Sequence, residues 1–130
     1  MADAVYNDDP SIPDGAELWR RINPAWWIRD KNRAIVRPTS QAFQNSSDGS
    51  PMSVLIADIV LESGRKPADI LPDDTYSLVS FTAGLARECN QAVCRDPKPD
   101  EAHALVAGEK TPRVKERLAL GSRWIIEPRP

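Results

Sequence analysis

Tyr76-Ser77-Leu78-Val79-Ser80-Phe81-Thr82-Ala83 carries the strongest strand signal in the chain. It is rich in aromatic and β-branched residues and free of Pro, Gly and Asn, a composition that suits a pleated, half-buried surface. Alternation places Tyr76, Leu78, Ser80 and Thr82 on one face and Val79, Phe81 and Ala83 on the other. Before it, Met52 to Leu61 is β-branched and nearly continuous. It reads as a strand, or a strand running into a helix that Gly64 closes. Pro67 to Leu71 reads as one helical turn with proline at its first position.

Beyond the central stretch, Gly84 to Cys89 reads as a short helix or a continuing strand. Ala92–Arg95 and Ala102–Ala107 are strand candidates, each followed by Pro or Gly. Thr111-Pro112-Arg113-Val114 is a helix start: the threonine can cap, the proline suits the first position, and Gly121 is expected just past the end. Trp124 to Ile126 reads as a last strand. Towards the N-terminus, Glu17 to Ile22 fits both periods, and Trp19 and Ile22 tip it to strand. Ala34 to Val36 is a short strand candidate after the charged turn Arg29 to Arg33, and residues 45–51 read as a turn.

The expected fold is α+β: a single small domain with a short mixed or antiparallel sheet and two or three short helices. Twelve prolines in 130 residues exceed the usual ~5%. Proline breaks helices and avoids central strands, which disfavours a bundle. Residues 1–16 are expected to form a flexible acidic N-terminal arm, and 17–130 the α+β domain.

The chain is 41% hydrophobic and 28% charged, with a formal net charge of -2, an ordinary composition for a globular domain. The charge is unevenly laid out. Residues 1–16 carry Asp3, Asp8, Asp9 and Asp14 without a base. Residues 17–37 carry Arg20, Arg21, Arg29, Lys31, Arg33 and Arg37 against Glu17 and Asp30. A mildly acidic protein with one basic segment is not an obvious general nucleic-acid binder, which usually shows a basic excess throughout, but a local basic face is open to it. No basic n-region and apolar h-region open the chain, and Asp58 interrupts its longest apolar run, Val54 to Leu61. The expected location is cytoplasmic, without a membrane partner. Cys89 and Cys94 suit a reducing compartment.

His103 is the only histidine, so acid–base chemistry by imidazole must use it. Cys89, Cys94 and His103, with Asp96, Asp100 or Glu101, are zinc-ligand types. Structural zinc sites usually pair two short Cys spacings, however, and the plainer reading is buried apolar cysteines. No metal is expected. A Ser-His arrangement would draw on Ser40, Ser46, Ser47 or Ser53, with Asp58 or Glu101 orienting the ring, but no Gly-x-Ser-x-Gly turn is present. Arg37, Ser40, Arg87 and His103 form a nucleotide- or phosphate-directed alternative, with His103, Ser40 and Arg87 as the candidate catalytic residues. With neither a Walker A sequence nor Gly-x-Gly-x-x-Gly, no cofactor is expected.

Trp26 and Trp27 interleave with the bases of residues 20–37, a pattern that suits stacking on a nucleic-acid single strand. The plainer reading makes Trp19, Trp26, Trp27 and Trp124 core anchors. Aromatic residues and arginines also anchor protein interfaces. The expected binding residues are therefore Arg20, Arg21, Trp26, Trp27, Arg29 and Arg37. Leu18-Trp19-Arg20, Arg37 to Phe43 and Ala102 to Val106 resemble segments of small bacterial proteins, a resemblance that implies no activity. The leading expectation is a small accessory or interaction module of a larger bacterial system, with a protein partner or self-association. The alternatives are a small enzyme or phosphate binder, and a single-strand nucleic-acid binder.

Overall fold

The computed structural model describes residues 6–32 and 35–128. The elements are β1 (Glu17–Ile22), β2 (Trp27–Asp30), β3 (Ile35–Pro38), β4 (Met52–Ile56), α1 (Ala57–Glu62), β5 (Ser77–Thr82), α2 (Ala83–Glu88), β6 (Ala92–Arg95), β7 (His103–Ala107), α3 (Pro112–Gly121) and β8 (Arg123–Ile126). Short 3₁₀ turns cover Pro24–Trp26, Ser40–Phe43 and Pro67–Ile70. Six strands form one antiparallel sheet in the order β6-β7-β4-β1-β5-β8, and β2 pairs with β3 in a separate hairpin. This is a single small α+β domain, and among the described residues no helix is long and apolar enough to cross a membrane.

Both sheet faces are covered, so β5 is buried from Ser77 to Phe81. That is why its sequence is nearly continuous rather than alternately polar. Leu18, Ile22, Val54, Val79 and Phe81 belong to the main core, with Phe43, Ala86 and Leu118 closing over them from the 40–43 turn, α2 and α3. Trp19, Leu55 and Leu78 point the other way and meet Val60 of α1 and Ile70 of the 67–70 turn. Phe43 and Phe81 stack edge to face with centroids 6.1 Å apart.

Local chemistry explains the helix ends. Met52 to Glu62 runs from strand to helix without a break, and Gly64 follows in the left-handed region at φ 85°. Thr82 Oγ1 accepts from the Leu85 N–H at the start of α2, and Thr111 Oγ1 accepts from the Val114 N–H at the start of α3. Gly121 corrects an expectation. It is the last residue of α3 rather than a left-handed cap, and a Cβ there would come within 2.4 Å of Leu85 Cδ2. Close approach of α3 to α2 is its reason for being glycine.

Residues 6–16 form no helix or strand but lie against the domain. The Asp9 N–H donates to the Val93 carbonyl, the Gly84 N–H donates to the Asp14 carbonyl, and Ile12 is buried in the main core. Asp3 of the expected arm, Arg33 of the basic segment and Ala34 of the strand candidate lie outside the described residues.

Candidate functional site

A cleft of about 1020 Å³ lies between the β2–β3 hairpin, α3 and β8. Ile35, Val36, Ala119, Leu120 and Trp124 give it apolar walls; Asp30, Arg37, Ser40, Glu116 and Glu127 give it polar ones. Trp124 Nε1 donates to the Val36 carbonyl at 2.9 Å and ties the hairpin to β8. Arg37 Nε donates to Asp30 Oδ2 at 3.1 Å within the hairpin. Direct partners share a sheet face, so Ile28, Asp30, Ile35 and Arg37 lie on one side of the hairpin. Ile35 is 46% exposed, Ile28 42% and Leu120 65%, high values for large apolar side chains that a folded chain would otherwise cover.

The predicted binding residues are dispersed. Arg20 and Arg21 are consecutive on β1 and therefore face opposite sides of the sheet. Arg20 donates from Nε to the Ala42 carbonyl at 2.9 Å and from Nη1 to the Ser53 carbonyl at 2.8 Å, and its guanidinium lies 5.4 Å from the Trp26 ring centroid. Burial pushes its pKa down to about 10, and the neighbouring Arg21 charge adds to this. Arg20 thus braces β1, β4 and the 40–43 turn. Arg21 Nε donates to the Ile70 carbonyl at 2.6 Å. Trp26 and Trp27 are half-buried against the main core, and Arg29 is exposed. These residues do not form one continuous stacking face, and Arg37 alone of the six lines the large cleft.

The predicted catalytic residues stand apart as well. Ser40 lines the cleft. Arg87 is bound to Asp8 Oδ1 at 3.0 Å, Asp14 Oδ1 at 2.7 Å and the Asp9 carbonyl at 3.0 Å, so it fastens residues 8–14 to α2. His103 lies beyond the sheet from Ser40: it pairs with Leu55, whose other partner is Trp19, on the face of the second core. The 40–43 turn packs on the first.

His103 has its own surroundings. Its Nδ1 lies 3.0 Å from Asp96 Oδ2 and 3.1 Å from the Asp96 carbonyl oxygen. Both are acceptors, so Nδ1 carries the proton and Nε2 is left open. The orienting carboxylate is Asp96 rather than Asp58 or Glu101. The β6–β7 hairpin returns the chain on itself, and the Asp96 N–H donates to the His103 carbonyl. A small pocket of about 50 Å³ is lined by Trp19, Arg21, Ser53, Leu55 and His103, among others. Trp19 is only 4% exposed, and its indole N–H is buried without an acceptor. In the sequence Ser53 reads as one of four candidate serines and Trp19 as a core residue. Their adjacency follows from the Trp19–Leu55–His103 register across β1, β4 and β7, which periodicity within one strand does not reveal.

Cys89 and Cys94 are buried and unbridged, and burial pushes the Cys94 thiol pKa up, away from a reactive thiolate. Among the described residues no group of three or more His, Cys, Asp or Glu side chains is placed to hold a metal ion. The chain matches no protein-family model, no curated protein and no solved structure.

Proposed function

We propose that this chain is a small cytoplasmic interaction module, an accessory part of a larger bacterial system. It binds an extended protein segment in the cleft between the β2–β3 hairpin, α3 and β8. The carrying observation is the exposure of Ile35 and Leu120 in a cleft of about 1020 Å³. Apolar area buried on binding is worth roughly 25 cal/mol per Å², so these side chains favour a covered state. The adjoining β8 is an edge strand of the six-stranded sheet, a position suited to an extended partner. Arg37 is already paired with Asp30, while Glu116 and Glu127 also line the cleft. The favoured segment therefore carries apolar side chains flanked by Lys or Arg.

The test is photocrosslinking in the producing cell, with a photoreactive phenylalanine at Ile35, at Leu120 or at exposed Asp58 of α1. The expected result is one discrete crosslinked species from Ile35 and Leu120 and none from Asp58. A species at twice the chain's own mass identifies self-association, and a different mass identifies another protein. Equal crosslinking from all three positions, or none from the cleft, refutes the reading.

A further inference from the structure

The pocket around His103 lies across the sheet from the cleft and serves no part of the reading above. Its walls are unusual in what they offer. Trp19 presents a buried indole N–H that meets no acceptor. Buried donors in folded proteins are almost always paired, so an orphan calls for an explanation. Arg21 spends Nε on the Ile70 carbonyl, and no other bond to its guanidinium is formed within the described residues. The Ser53 carbonyl accepts from Arg20, but the Ser53 hydroxyl has no partner among them.

The nearby carboxylates are occupied elsewhere. Asp96 holds the far ring nitrogen of His103. Asp100 is bound by two Arg65 nitrogens at 2.7 and 3.0 Å and by the Ala102 N–H at 2.9 Å. Arg21, Trp19, Ser53 and His103 thus line the pocket, and no carboxylate among the described residues lines it. Arg21 feels the charge of Asp100, but that carboxylate spends its hydrogen bonds on Arg65 and the Ala102 N–H, and among the described residues none is bonded to the Arg21 guanidinium.

From this arrangement we infer that the pocket is a binding site for a small oxyanion, a phosphate or carboxylate group, held by Arg21, Trp19 Nε1, Ser53 and His103. Arg21 supplies the charge, and its free nitrogens offer the parallel donors that match two oxyanion oxygens. Ser53 and the indole donate to the remaining oxygens, the indole after a small adjustment of the side chains that now shield it. His103 takes either role at Nε2. Neutral, it accepts a proton from a protonated oxygen of the ligand. As imidazolium it donates, with its charge matched by Asp96 on one side and the anion on the other. The volume of about 50 Å³ exceeds the ~10–15 Å³ of such space that one water needs and is on the scale of a single small group.

The test follows the four tryptophan indole N–H resonances of the full chain by 15N–1H correlation spectroscopy. Sodium phosphate, sodium acetate and sodium chloride are added at matched ionic strength. Trp19 is assigned with Trp19→Phe, or by elimination with Trp26→Phe, Trp27→Phe and Trp124→Phe. The expected result is a saturable shift of the Trp19 resonance with phosphate, acetate or both. The apparent Kd should rise at least tenfold in Arg21→Gln and severalfold in Ser53→Ala, and stay unchanged in Arg113→Gln, an exposed arginine of α3. Saturation by phosphate alone identifies a phosphate group, and saturation by acetate a carboxylate. Arg21→Lys separates charge from fold: it should retain part of the affinity. An equal response to chloride, no saturable response to either oxyanion, or undiminished binding in Arg21→Gln together with Ser53→Ala overturns the inference.

Discussion

Lys110 provides a quantitative test of how this small domain tolerates a desolvated charge. Its ammonium donates to Asn45 Oδ1 at 2.9 Å, to the Val106 carbonyl at 2.9 Å and to the Gly108 carbonyl at 3.0 Å, with no carboxylate partner among the described residues. Burial, helped by the charge of Arg20, pushes its pKa from 10.5 down to about 8. Between those values the unfolded chain holds a proton that the native chain has released. Stability therefore rises with pH across that window, and below pH 8 the folded state carries the full cost of the buried charge. The gap sets a ceiling of about 3.4 kcal/mol at about 1.36 kcal/mol per pH unit. Partial exposure of the ammonium lowers the expectation to about 1–2 kcal/mol. The assay is urea unfolding of the native chain and Lys110→Met, followed by tryptophan fluorescence at pH 7, 8, 9 and 10. Other groups also titrate over this range, so the quantity read is the difference between the two proteins. It should move by about 1–2 kcal/mol in favour of the native chain from pH 7 to pH 10. The offset at pH 7 mixes lost hydrogen bonds with the removed charge and tests nothing alone. A difference that stays constant with pH, or moves the other way, refutes the reasoning.

Three further outcomes follow from contacts described above. The Asp100 carboxyl is held at about 2 by its hydrogen bonds to Arg65, with the Ala102 N–H helping. Because that value lies below the ordinary 3.8, its stabilisation is present above pH 4 and lost as pH falls through 2. Asp100→Asn should be about 1 kcal/mol less stable at pH 7 by denaturant unfolding, with the gap closing in acid. Phe43 is fully buried and packs edge to face on Phe81, so Phe43→Ala should cost about 3–4 kcal/mol in the same assay. Arg87→Gln should release residues 8–14, speeding hydrogen exchange at the Asp9 and Gly84 amides at least tenfold while β1 amides stay protected. Uniform acceleration would mean that Arg87 supports the whole fold rather than this segment.

Where local chemistry decides the structure, the sequence is readable. β5 announces itself by composition, the end of α1 by Gly64, and the start of α3 by Thr111 and Pro112. Where a residue's role depends on a distant partner, local composition does not carry it. The charged stretch after Trp27 reads as a turn, yet Arg29 and Asp30 belong to β2, because β3 supplies the pairing that their propensities do not. Ser40 to Phe43 carries no helical signal, and its turn is fixed by burial of Ala42 and Phe43 beneath the sheet. Gly121 reads as a cap from its position in the chain, whereas Leu85 of another helix determines it. Arg37, Ser40, Arg87 and His103 are suitable types for phosphate chemistry, but the sheet stands between Ser40 and His103, and Arg87 is engaged by the N-terminal segment.

The alternation of one strand governs this division. Arg20 and Arg21 are adjacent in sequence and chemically identical, yet their fates differ completely. Arg20 turns to the main core, loses water, and offsets that loss with two carbonyls and the face of Trp26. Arg21 turns to the second face, reaches the rim of the His103 pocket and keeps part of its guanidinium available. A one-residue slip of β1 would exchange them and bring Trp19 to the main core. Leu18 and Ile22 resist that slip, because both are wholly buried on the Arg20 side and would be driven to the other face. The apolar residues of β1 thus decide which arginine braces the main core and which lines the His103 pocket. The pocket can exist on one face only because the core on the other holds the register.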